Sequence, residues 1–279
     1  PMMTSFRLIG DAWSFFRRQP ALQRSTVALV FLPLLAMSYL DATVGIERPE
    51  HAAVLVVLYL ASYAALTWGT ACTLVAGRRL LQAKAGRHRT SFKAVRSQAT
   101  GLIVALILTD ILRGCIALLW SLPAAGLAFA ALSSTNFEAL LLEPFADSRP
   151  FLYLSGTCLL LILPLLYLLF TTLAPQVVAY EKIAFRQALR RSMYLTKKRI
   201  GSTLVVTTVL SVLWLPGIVS SSAIAYYANP TIASVASPIV SAVFDTVAMT
   251  TWLLALTLFY KALGGRVRQS HPDNEEDDE

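Results

Sequence analysis

Histidine and cysteine are scarce in this chain, three of each among 279 residues. Cys72, Cys115 and Cys158 stand in apolar stretches without a CxxC pair, and His51, His88 and His271 lie outside the long apolar runs. A disulfide scaffold is thereby excluded, no set of His and Cys has zinc-ligand spacing, and no metal or cofactor is expected. The motifs of nucleotide and hydrolase chemistry are missing too: there is no HExxH, no GxSxG and no Walker loop, so an enzyme is not expected. Charge is the third shortage. With 14% of residues charged, 56% hydrophobic and a mean hydropathy of +0.61, the chain is more apolar than a soluble domain of this length can bury. Its solvent is a lipid bilayer.

The apolar residues fall into six stretches, 25–44, 52–76, 101–122, 151–174, 202–228 and 236–263. Each reaches the roughly 20 residues that cross about 30 Å of hydrocarbon as a helix. The fold class expected is an all-α membrane protein, one domain over 1–265 whose six spans form three hairpins, followed by an acidic tail, 266–279, that should be disordered. Pro123 should end or kink the third span, Pro175 should end the fourth, and "NPTIASVASP" should be a tight turn between the fifth and sixth. The first apolar run begins only after a charged amphipathic stretch and no small-residue cleavage site follows it, so it is expected to stay as an anchor and not to be removed as a signal peptide.

A basic amphipathic segment precedes each hairpin, at about 4–18, 90–99 and 181–198. Taking Phe6, Phe92 and Phe185 as equivalent, "SFRLIGDAW", "SFKAVRSQA" and "AFRQALRRS" align without gaps, and each Phe opens an apolar stripe of 3.6-residue period. In the first, Thr4 would cap a helix with Phe6, Ile9, Trp13 and Phe16 on one face. Such helices lie in the headgroup plane, and the alignment points to three copies of one unit. Of the 24 Lys and Arg, 21 lie in the N-terminal segment, the two long basic connections and the C-terminal segment. That bias puts both termini and both basic connections on the cytoplasmic side, and it marks topology, not a nucleic-acid surface.

Two groups of residues are candidates for function. Asp110 and Arg113 share a face near the middle of span 3, and Asp245 stands at similar depth in span 6. An ionisable group there costs roughly 2.5 to 3.5 kcal/mol, so each needs a partner or water. If spans 3 and 6 pack together the trio either lines a polar site for a solute, peptide, proton or ion, as in a small permease, or forms a structural ion pair. Leu-Pro steps at Pro33, Pro123, Pro164 and Pro216 would break helices at depth, a device of transporters as well as a common feature of membrane helices. The second group, Lys182, Arg186, Arg190, Arg191, Lys197 and Lys198, would draw anionic lipid headgroups, or a protein partner, to the cytoplasmic face.

The run "LAPQVVAYE" followed by "ALRRSMYLTKKRIGSTLVV" resembles the signature of a family of six-span bacterial and archaeal membrane proteins, which includes the membrane domain of some glycerophosphoryl diester phosphodiesterases and the YciC-like inner-membrane proteins. Ala174, Pro175, Glu181, Ala188, Leu189, Arg190, Arg191 and Ser192 carry the match. The glycine usual between the acidic residue and Ala-Leu is missing, and no phosphodiesterase domain follows. The resemblance implies a bacterial cytoplasmic membrane and no catalytic residue.

Overall fold

A computed structural model describes residues 2–43, 49–82, 92–134 and 148–267. All regular structure among them is helical: α1 (Met2–Arg18), α2 (Pro20–Thr26), a π-helical turn (Val27–Phe31), α3 (Leu32–Thr43), α4 (Pro49–Gln82), α5 (Phe92–Thr100), α6 (Ile103–Ser134), α7 (Ser148–Phe170), α8 (Ala174–Glu181), α9 (Phe185–Lys197), α10 (Ile200–Ser211), a 3-10 turn (Val212–Trp214), α11 (Leu215–Tyr227) and α12 (Pro230–Ala262). Six helical rods are long and apolar enough to cross a bilayer: Leu22–Leu40, Leu55–Arg78, Ile103–Ala130, Ser155–Glu181, Ile200–Tyr227 and Thr231–Ala262. Spans 1 and 2, 3 and 4, and 5 and 6 pack as hairpins, and α1, α5 and α9 stand before spans 1, 3 and 5.

Each of the three amphipathic helices packs on a hairpin other than the one it leads into. Helix α5 lies against spans 1 and 2, α9 against spans 3 and 4, and α1 against spans 5 and 6. Small side chains make the contacts close: Ala12 of α1, Ala99 of α5 and Ala188 and Ser192 of α9 are fully buried. Phe6 and Phe185, by contrast, are exposed, while the Phe92 side chain lies outside the description.

Span 6 is the most enclosed, with 50% of its apolar window buried against 11% for span 3, because it packs on spans 1, 2 and 5 and on α1. The packed core gathers at the end where spans 2, 4 and 6 finish, around Cys72, Leu74, Val177, Tyr180, Leu254, Leu256 and Tyr260. The other end is open, with Tyr226 and Tyr227 over 80% exposed.

Several expected boundaries move. Pro123 does not end span 3; α6 runs through it to Ser134, as membrane helices allow when the backbone finds other partners. Residues 230–235 are helical, not a turn, because Asn229 caps α12 by accepting a hydrogen bond from the Thr231 N–H (3.0 Å). Helix α1 begins at Met2, ahead of Thr4, so Thr4 is not its cap. Span 4 is broken at 171–173 and resumes as α8 to Glu181, so the third amphipathic helix starts at Phe185 and not at 181. Residues 266 and 267 belong to the fold: Gly264 turns the chain at φ 84, and the Arg266 carbonyl lies 2.9 Å from the Tyr260 hydroxyl. The rest of the expected tail, 268–279, and residues 90–91 of the second amphipathic segment lie outside the described residues.

Candidate functional site

The break in span 4 has a local cause and distant partners. Proline at 175 has no N–H to give the Thr171 carbonyl, which takes a tighter bond from Ala174 (3.0 Å) instead. The Phe170 carbonyl, deprived of Ala174, accepts from the Ser192 and Thr196 hydroxyls of α9 (3.0 and 2.9 Å), and Ser192 also accepts from the Leu173 N–H (3.2 Å). Arg113 reaches the same break from span 3. Its Nε donates to Thr171 Oγ1 (3.0 Å) and its Nη2 to the Leu168 carbonyl (3.2 Å). Asp110 Oδ1 stands 3.8 Å from Nη1, an ion pair longer than a hydrogen bond.

Asp245 is elsewhere. It accepts from Ser241 (3.0 Å), one turn back on α12, and faces Gly217 of span 5, where a Cβ would lie 3.6 Å from Oδ1. Span 6 packs on spans 1, 2 and 5, whereas Arg113 is turned to span 4. The expected approach of Asp245 to Arg113 is therefore not made, and the trio does not share a site.

At the end of span 4 a cluster of polar side chains closes on Glu181. Glu181 shares the single Nε–H of Arg191 between its two oxygens (3.1 Å each) and accepts from the Tyr260 hydroxyl (2.7 Å) and the Arg266 N–H (3.4 Å). This carboxylate joins α8, α9 and the end of α12, and both partners of the ion pair are largely enclosed, 24% and 13% exposed. Tyr180 adds a second tie: its hydroxyl meets the Leu74 carbonyl (3.1 Å) and Thr257 Oγ1 (2.8 Å). Lys261 closes the ring on span 2 by donating to the Leu81 carbonyl (2.9 Å). Of the six cations expected to meet headgroups, Arg191 is thus committed inside the protein. Lys182, Arg186, Arg190, Lys197 and Lys198 are exposed. Lys198 lies 4.3 Å from the centroid of the Tyr194 ring, and its hydrogen bond and charge hold that phenol below its ordinary pKa.

A cavity of about 560 Å³ opens beside this cluster. Span 2 contributes Val75 and Arg78, α5 contributes Ser97 and Gln98, the entry of span 3 Gly101, Leu102 and Ala105, and the chain leaving α8 Lys182, Ile183 and Ala184. Among the described residues its two charged lining residues, Arg78 and Lys182, are both cationic. Lys182 has left-handed backbone (φ 55, ψ 37), at the place where a glycine would carry no steric cost. The sequence marks Lys182 as one of seven cations in 182–199 but does not connect it with Arg78, about a hundred residues away. Among the described residues no group of three or more His, Cys, Asp or Glu could hold a metal ion. Comparisons with protein-family models, with curated proteins and with solved structures find no match to this chain.

Proposed function

We propose that this multi-pass membrane protein is non-catalytic and binds anionic lipid headgroups through its basic face, on the cytoplasmic side of a bacterial inner membrane with both termini inside. The observation that carries this reading is the exposed row Lys182, Arg186, Arg190, Lys197 and Lys198 beside a span end, in a stretch, 182–199, without a single acid. The nearest carboxylate, Glu181, is occupied by Arg191 and Tyr260 and does not neutralise that row. The resemblance to six-span inner-membrane proteins and the mutual packing of α1, α5 and α9 on one another's hairpins support a triplicated unit that presents three such helices to one leaflet. The permease reading has less support, because Arg113 donates to the break in span 4 and Asp245 accepts from Ser241, so the three charges expected to share a polar site do not meet.

Lipid carried through purification tests the proposal. Each Lys or Arg near an anionic surface contributes about 1 kcal/mol, so Arg186→Gln, Arg190→Gln and Lys197→Gln together should weaken the preference for anionic over zwitterionic lipid by up to about a hundredfold. Mass spectrometry of the retained lipid reads that ratio, and an unchanged ratio would remove the basic face from the account.

A further inference from the structure

The cavity beside α8 is more specific than a charged surface. Its walls come from span 2, span 3 with α5, and span 4, so its shape depends on the assembled bundle and not on one helix. Its volume lies within the roughly 300 to 1,000 Å³ typical of small-ligand pockets. Arg78 and Lys182 supply positive charge from two elements, Ser97 and Gln98 supply neutral hydrogen-bonding groups, and among the described residues no carboxylate lines the cavity. The backbone points the same way. Helical Glu181 followed by left-handed Lys182 is a geometry that gathers successive N–H groups into an anion-binding concavity. Among the described residues the N–H groups of Lys182, Ile183 and Ala184, all three on the cavity wall, meet no backbone acceptor. A cationic, donor-rich pocket between membrane helices fits a phosphate group.

We infer that this cavity binds one phosphate ester, with Lys182 and Arg78 as its cationic contacts and the 182–184 backbone as donor. The inference rests on the lipid-binding reading above and narrows it from a face to a site. A phospholipid headgroup and a free phosphate share that chemistry, and the experiment separates them.

The full chain, purified in detergent, is titrated with phosphatidylglycerol, with phosphatidylcholine, and with glycerol 1-phosphate and inorganic phosphate, and followed by native mass spectrometry and thermal unfolding. One saturable phosphatidylglycerol per chain is expected, weakened about tenfold or more by Lys182→Gly and further by Arg78→Gln. Lys182→Gly is the decisive variant because it removes the charge while relieving left-handed backbone, so its unfolding temperature should not fall. Arg186→Gln with Lys197→Gln, outside the cavity, should reduce diffuse lipid association and leave the saturable site intact. Saturation by the soluble phosphates alone, lost in the same variants, supports the site with a soluble ligand as its source. Anionic lipid preference that survives with no saturable site, or a site indifferent to Lys182→Gly and Arg78→Gln, overturns the inference and spares the basic face. No anionic lipid preference and no saturation by soluble phosphate in the wild type overturns both.

Discussion

Arg113 can be exchanged for lysine without losing its charge, and that separates the two things it does. A lysine near Asp110 still balances the carboxylate, but a single ammonium cannot reproduce the fork that reaches Thr171 and Leu168 together. If the tie to span 4 matters more than the ion pair, Arg113→Lys should cost about 1 to 2 kcal/mol and Asp110→Asn less. Thermal unfolding in detergent measures both, and a native-like Arg113→Lys beside a strongly destabilised Asp110→Asn would reverse the ranking. The local pair was legible in the sequence because residues three apart on a helix are neighbours. Its larger partner was not, since which span faces Arg113 is decided by the packing of whole helices. The same holds for Glu181 and Arg191. Ten residues apart, they would not face each other on one helix, and they meet only because the chain leaves helical geometry between them.

At the scale of elements, apolar length gave the six spans and the 3.6-residue stripe gave α1, α5 and α9, but proline alone did not say which helices break. Pro123 and Pro238 lie inside continuous helices, whereas Pro175 stands at an interruption whose freed carbonyl finds hydroxyls on α9. Proline breaks a membrane helix where another element can take over the lost hydrogen bond. Pro33 shows a third outcome. It removes the N–H that would have served the Leu29 carbonyl, the helix widens into a π turn closed by the Leu32 N–H on the Val27 carbonyl, and span 2 comes up against that place with Gly69. A Cβ at 69 would lie 2.7 Å from both the Leu29 oxygen and a Val30 methyl carbon, too close to backbone for a side chain to swing aside. Gly69→Ala should therefore push spans 1 and 2 apart and cost about 1 to 3 kcal/mol. Gly10→Ala, with nothing within 4 Å of the added atom, is the matched control. Equal unfolding temperatures for the two variants would show that the contact is looser than drawn.

For the whole molecule, the span ends that converge on Glu181, Tyr260 and Leu81 fix one face of the bundle, and the turn between spans 5 and 6 fixes the opposite one. The first face carries α1, α5 and α9 with their cations; the second carries Tyr226 and Tyr227 and no Lys or Arg in the turn. Bilayer asymmetry acts on that difference, because positive residues next to a span are retained in the cytoplasm. With Cys72, Cys115 and Cys158 replaced by alanine, a cysteine introduced by Tyr227→Cys should react with a membrane-impermeant maleimide in cells whose outer membrane is permeabilised and whose inner membrane is intact. One introduced by Arg190→Cys should react only after the inner membrane is opened. Both positions are exposed in the fold, so failure to label reports the membrane and not burial. Labelling of Arg190→Cys from outside, with Tyr227→Cys protected, would invert the bundle. The phosphate-binding cavity would then face the wrong leaflet for a cytoplasmic ligand, whatever its affinity in detergent.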